Sequence, residues 1–199
     1  MQDQALLRPL RRASRRGCVP FGMAVLGFYF LFSPAIGFSA APPAPPKFEA
    51  GMSKKGRYAK EGYFVGGQKN ISSARLFDIR RGPQPQGVER VVFDLDVAGT
   101  AEKKGKAPFF QVNLEGKQKR VVVSIWADVT YDLSMDRVKK AFAKSRFIDQ
   151  VQVIPRVEDG LAMVELVLKP SKKSPQVEAF HLMHPARIIL DFTANGEEM

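Results

Sequence analysis

One phrase occurs three times in this 199-residue chain: an arginine, three apolar residues, a small or acidic polar residue, then one more apolar residue. It reads Arg90-Val-Val-Phe-Asp-Leu, Arg120-Val-Val-Val-Ser-Ile and Arg187-Ile-Ile-Leu-Asp-Phe. Branched and aromatic side chains at this density suit a pleated strand and not a helix. In an extended chain the arginine and the polar residue, four apart, share a face and stand about 13 Å from each other. That is too far for them to pair with each other, so each is expected to pair across to a neighbouring strand.

The same alternation recurs from Ile71 onward with turn residues between the runs. Strands are predicted at 74–80, 90–97, 109–114, 120–129, 151–154 (ended by Pro155), 161–168, 177–183 and 187–192. Gly82-Pro83, Gly99, Gly116, Asp159-Gly160 and Ser174-Pro175 fall in the gaps, where chain reversals need them. Alternation also predicts the buried stripes: Val91, Phe93 and Leu95; Val121, Val123 and Ile125; Ile188, Leu190 and Phe192. Several three-residue stripes drive two sheets together, so the expected fold is mainly all-β, a two-sheet β-sandwich. One short helix is predicted over 134–144. Ser134 caps it, Asp136 sits near its positive end, and Val138, Ala141 and Phe142 form its apolar face. Lys139, Lys140 and Lys144 read as its solvated side.

The N-terminus has a different logic. Arg8, Arg11, Arg12, Arg15 and Arg16 precede an apolar stretch from Cys18 to Phe32, and small residues follow up to Ala41. This is the order of a signal peptide, with cleavage expected after Ser39. An uncleaved anchor is the alternative, since 19–41 just reaches the length of a membrane span, although Pro20 and Pro34 interrupt it. Contact with the membrane is expected only in that case. Ser14-Arg15-Arg16-Gly17-Cys18-Val19 also resembles the start of a twin-arginine signal. The expected organisation is a signal peptide at 1–39, a proline-rich and irregular linker at 40–69, the sandwich at 70–194 and a tail at 195–199. The linker's aromatics, Phe48, Tyr58, Tyr63 and Phe64, are expected to dock on the domain or on a partner.

Charge follows from this division. The whole chain carries 31 basic and 20 acidic residues. Taking away the five arginines and one aspartate of 1–39 leaves 26 and 19, a mature charge of about +7. Such an excess favours anionic partners. Export argues against nucleic acid and for the periplasm. The single cysteine, Cys18, lies in the exported segment. The mature chain therefore has no disulfide, thiolate metal site or cysteine nucleophile.

Three segments, taken in order, resemble an AMIN domain, the non-catalytic module of periplasmic cell-wall amidases and some pilus secretins. They are Phe77-Asp78-Ile79-Arg80, then Arg90-Val91-Val92-Phe93-Asp94-Leu95, and a closing His184-Pro185-Ala186-Arg187-Ile188-Ile189-Leu190-Asp191-Phe192. The resemblance covers about 70–194. It implies two packed β-sheets and a role in directing a protein to the envelope, often by binding peptidoglycan. The chain departs from the pattern in the helix at 134–144 and in ending at Met199, where an amidase would carry its catalytic domain.

Little in the sequence suggests catalysis. His181 and His184 are an odd number apart, so on one strand they would face opposite ways. There is no phosphate-cradling glycine loop, nucleophile elbow or metalloprotease helix motif. Asp132 and Asp136 read as a loop residue and a helix-cap residue. No enzyme activity, cofactor or metal is expected. For binding, the candidates are Arg80, Arg81, Lys119, Arg120, Trp126 and Tyr131. Arginine forks suit the carboxylates of peptide stems, and aromatic faces suit sugar rings. Trp126 fits equally well in the core. Two functions are expected: a module that binds peptidoglycan, or an adaptor for envelope proteins in a secretion or pilus assembly.

Overall fold

The alternating runs form two β-sheets that face each other, as expected. A computed structural model describes residues 43–83, 87–97, 105–156, 161–171 and 174–194. The strands are β1 (Lys47–Ala50), β2 (Gly62–Gly66), β3 (Ser73–Gly82), β4 (Val88–Asp96), β5 (Phe110–Glu115), β6 (Arg120–Trp126), β7 (Asp128–Tyr131), β8 (Ile148–Arg156), β9 (Leu161–Leu168), β10 (Gln176–Leu182) and β11 (Ala186–Thr193). One sheet, sheet A, has the order β1-β2-β5-β6-β9-β8, and the other, sheet B, the order β10-β11-β4-β3-β7. Among the described strands, β1–β2 and β3–β7 pair in parallel and the other neighbours antiparallel.

The predicted stripes meet in one core. Phe110, Val112, Val121, Val123, Ile125, Val164 and Leu166 come from sheet A, and Leu76, Ile79, Val91, Phe93, Ile188, Leu190 and Phe192 from sheet B. Helix α1 (Met135–Phe142) packs against β3 and β8 and adds Val138 and Phe142 to that core. The Ser134 hydroxyl accepts the Arg137 N–H at 3.4 Å, the cap the sequence indicates.

Three features correct the sequence reading. The folded unit begins well before residue 70: β1 and β2 are full members of sheet A, and Ala50, Ala59 and Phe64 are buried in the core. Phe48 stacks on Phe64 at 5.0 Å between ring centres. Glycine made this segment look irregular, yet Gly62 (φ +103°) is what lets β1 approach β2, because a Cβ there would lie 2.3 Å from the Pro46 carbonyl oxygen.

The run predicted as one strand at 120–129 is two strands. The chain leaves sheet A at buried Ala127 and continues as the edge of sheet B, pairing Ser73–Leu76 with Asp128–Tyr131. Pro155 does not end its strand, because β8 is a sheet edge, where a missing donor costs little. The signal-like segment 1–39, Gly99, Asp159-Gly160 and the tail at 195–199 lie outside the described residues.

Two local devices set which face each residue takes. A bulge between Leu76 and Asp78 lets both Leu76 and Ile79 point inward although they are three apart, and turns Phe77 out to solvent. The stretch from Gly51 to Glu61 crosses from sheet A to the open edge of β10. There Ala59 exchanges backbone hydrogen bonds with Val177 at 2.9 and 2.8 Å, and Lys55 N–H donates to Glu178 Oε1 at 2.7 Å. The Gly51 carbonyl accepts the His181 N–H at 3.0 Å. This strap covers a row of ladder groups that would otherwise be free to recruit another strand.

Candidate functional site

The two outward faces differ in kind. On sheet B, the phrases on β4 and β11 lie antiparallel with Arg187 opposite Asp94 and Asp191 opposite Arg90. Arg90 binds Asp191 through Nε–Oδ1 and Nη2–Oδ2, both at 2.7 Å, and Arg187 Nε donates to Asp94 Oδ1 at 2.9 Å. Arg80, from β3, reaches the same Asp94 through Nε at 2.5 Å and Nη2 at 3.3 Å. That hydrogen bond raises the Arg80 pKa from its ordinary value against the opposing effect of burial. Val92, Ile189 and Phe180 form a small apolar cluster between the two ion-pair groups, and the Arg90 guanidinium lies over the Phe180 ring. This face satisfies its own charges.

Sheet A's outward face is different. Because Phe110, Val112 and Leu114 point inward, Gln111, Asn113 and Glu115 point outward. On β6 the outward set is Arg120, Val122, Ser124 and Trp126, and on β9 it includes Met163 and Glu165. The ladders align Gln111, Ser124 and Met163 in one row and Asn113, Val122 and Glu165 in the next, with Tyr63 of β2 beside Asn113. Ser124 and Val122 are only 4% and 6% exposed although they face outward. Both are short, and the longer side chains of β5 and β9 overhang them. The face is therefore lowest along β6, a trough with an apolar and hydroxyl floor and amide, thioether and carboxylate walls.

The trough has two distinct ends. At one, Trp126 is 39% exposed and packs against Phe109 with ring centres 5.3 Å apart, and the Lys69 ammonium lies over the Phe109 ring. At the other, Arg120 spans the trough to Glu115 on β5 and Glu165 on β9. Six residue steps along β6 separate these ends, about 20 Å of extended chain. The one α-helix among the described residues adds Val138 and Phe142 to the interior core.

The six expected site residues therefore do not converge. Trp126, Arg120 and Lys119 belong to sheet A, with Lys119 exposed in a left-handed turn (φ 52°) just before β6. Arg80 lies on the opposite side of the sandwich. Arg81 lies beyond the end of the core, where its Nη1 donates to the Lys144 carbonyl at 3.1 Å and its Nε lies 3.5 Å from Glu89. Tyr131, on β7, is half-buried against the core, and that burial pushes its phenol pKa up. Phe109, Gln111 and Asn113 are not among the residues the sequence marks, and Tyr63 is marked only as a linker aromatic expected to dock on the domain or on a partner. The alternation of β5 was the signal that could have found the two amides.

Among the described residues, no three His, Cys, Asp or Glu side chains are grouped to hold a metal ion. The His181 ring donates through Nδ1 to the Ala50 carbonyl at 3.0 Å and meets Phe110 edge-on, while His184 sits in the turn after β10. Comparison with known proteins found no match: no family model, no curated protein and no solved structure aligns with the chain.

Proposed function

We propose that this chain is an exported, non-catalytic envelope module that binds peptidoglycan through the outward face of sheet A and works in the periplasm. The observation that carries this reading is the outward face along β6, headed by the Phe109–Trp126 pair and flanked by the amides of Gln111 and Asn113. Flat aromatic surfaces beside amide donors and acceptors suit sugar rings, whose faces are apolar and whose rims carry hydroxyl and acetamido groups. The signal-like order of 1–39 and the AMIN-like sequence of strands support the same compartment and class. The mature charge of about +7 adds long-range attraction to an anionic wall.

The test uses the mature protein, co-sedimented with purified wall sacculi at low and at physiological salt, with dye release from labelled wall measured alongside. Binding that persists at physiological salt without dye release is expected. Binding that vanishes there would reduce the attraction to bulk charge and favour a protein partner on the same face. Dye release would refute the non-catalytic assignment.

A further inference from the structure

We infer that the strap over β10 is a displaceable placeholder, and that this edge of sheet B accepts an extended segment of a partner protein with small apolar residues at alternate positions and a basic residue between them. The edge belongs to the other sheet from the proposed wall-binding face and does not depend on it. Val177 exchanges both of its backbone hydrogen bonds with Ala59. In an antiparallel ladder such groups turn to the same side at every second residue, so Ala179 and His181 face the edge as well. The strap runs antiparallel to β10, with Ala59 at Val177 and Gly51 at His181. It takes eight residue steps between those contacts where β10 takes four. The surplus bows into solvent: Met52, Ser53, Lys55, Gly56 and Arg57 are exposed, and Gly56 has a left-handed backbone (φ +72°). Midway between the contacts, the Ala179 N–H and C=O receive no hydrogen bond from the strap, although the residue is only 3% exposed.

A side chain is left short at the same place. Glu178 is buried, and while its Oε1 accepts the Lys55 N–H at 2.7 Å, its Oε2 has no hydrogen-bond partner among the described residues. Opposite it in the ladder stands Asp191, which takes Arg90 and, at 3.4 Å, Lys54 of the strap. The strap's one inward cation therefore serves Asp191 and leaves Glu178 with a single backbone donor.

A regular strand laid on β10 supplies what the strap does not. It exchanges a pair of hydrogen bonds at each of Val177, Ala179 and His181, where the strap makes three backbone bonds to β10 in all among the described residues. Its residues opposite those three face the core, where Ala59 shows that a small apolar side chain fits. Its residue opposite Glu178 faces outward, and a lysine or arginine there reaches the unpaired oxygen. Strand addition of this kind takes its affinity from the main chain and its specificity from alternate side chains.

The test locks the strap. Residues that exchange both hydrogen bonds stand about 5.5 Å apart at Cα, within reach of a disulfide. Cys18 is the only cysteine and precedes residue 40, so Ala59→Cys with Val177→Cys adds one bridge to the mature protein. The probe is a blocked, dye-labelled heptapeptide of alternating alanine and threonine with arginine in place of the central threonine, and its control carries glutamate there. Fluorescence anisotropy should show the arginine peptide binding the parent and the reduced double variant. Oxidation should weaken it by about tenfold or more, and reductant should restore it. The glutamate peptide should bind the parent at least about tenfold more weakly. Amide exchange of the parent gives a readout without substitution: the Ala179 N–H should exchange faster than that of Phe180, which is bonded to β11, and the arginine peptide should slow it. No binding by the parent, or equal binding to locked and reduced protein, overturns the edge assignment. Equal binding of both peptides overturns the basic-residue assignment. An Ala179 amide as protected as Phe180 in the free protein means that the strap already completes the ladder, and the placeholder reading fails.

Discussion

Arg90 on β4 and Asp191 on β11 stand directly opposite each other and form a two-pronged ion pair, with Asp191 fully buried. The same register places Arg187 opposite Asp94, so two copies of one sequence phrase, run antiparallel, satisfy each other's charges. The phrase is thus a pairing code for neighbouring strands.

Breaking this code should be costly. Asp191→Asn leaves Arg90 and Lys54, 3.4 Å from the same carboxylate, without their counter-charge. A loss of about 3–5 kcal/mol is expected, the usual result of removing one partner from a buried pair. Urea denaturation would measure it. Replacing the pair together, Arg90→Met with Asp191→Leu, should cost much less than Asp191→Asn alone. An equal cost would mean that the ion pair is incidental.

The domain boundary can be tested by truncation. A fragment starting at residue 43 should fold, whereas one starting at residue 70 loses β1, β2 and the core residues Ala50, Ala59 and Phe64 and exposes the edge of β5. Thermal melts followed by far-UV circular dichroism should show a cooperative transition only for the longer fragment. In the full chain, Phe64→Ala should cost about 3–5 kcal/mol.

His181 makes stability depend on pH. Burial lowers its imidazole pKa from 6.5, partly opposed by the Ala50 carbonyl. Above 6.5 the ring is neutral in both states, and its contribution is complete. Below 6.5 the unfolded chain takes up a proton that the folded site resists. Stability therefore falls as the pH drops, and this effect levels off below the folded pKa. Urea midpoints at about pH 7.5 and about pH 5.5 should differ less in His181→Gln than in the parent.

The export reading makes its own prediction. N-terminal sequencing of protein from a fractionated cell should find the mature chain starting near Ala40 in the periplasmic fraction. A full-length cytoplasmic product would contradict it.

Much of this fold is legible in the sequence because one physical signal, period-two alternation, dominates from residue 71 onward. The cross-strand ion pairs follow from it, since residues four apart on a strand cannot reach each other. What alternation cannot report is a change of sheet. β6 and β7 read as one run because the period continues straight through Ala127. It also fails where strands are short and rich in glycine, as in Gly62–Gly66, although Phe48 and Ala50 alternate as core residues should. At the candidate site, Trp126 and Arg120 stood out by type. Gln111 and Asn113 did not, because an outward polar residue looks the same on any solvated strand. Only the packing shows that no described element covers them.

The crossing at Ala127 has a mechanical consequence. Trp126 is the last residue of one ladder, and two residues later the same chain is hydrogen-bonded into the other, where Asp128 N–H donates to the Ser72 carbonyl at 2.8 Å. A pull on the indole cannot peel one sheet away alone. It loads β6 between β5 and β9 and, through Ala127, loads β7 against β3 in shear, the direction in which a row of hydrogen bonds must yield together. An anchor gripping a taut polymer from this point would share tension between both halves of the sandwich.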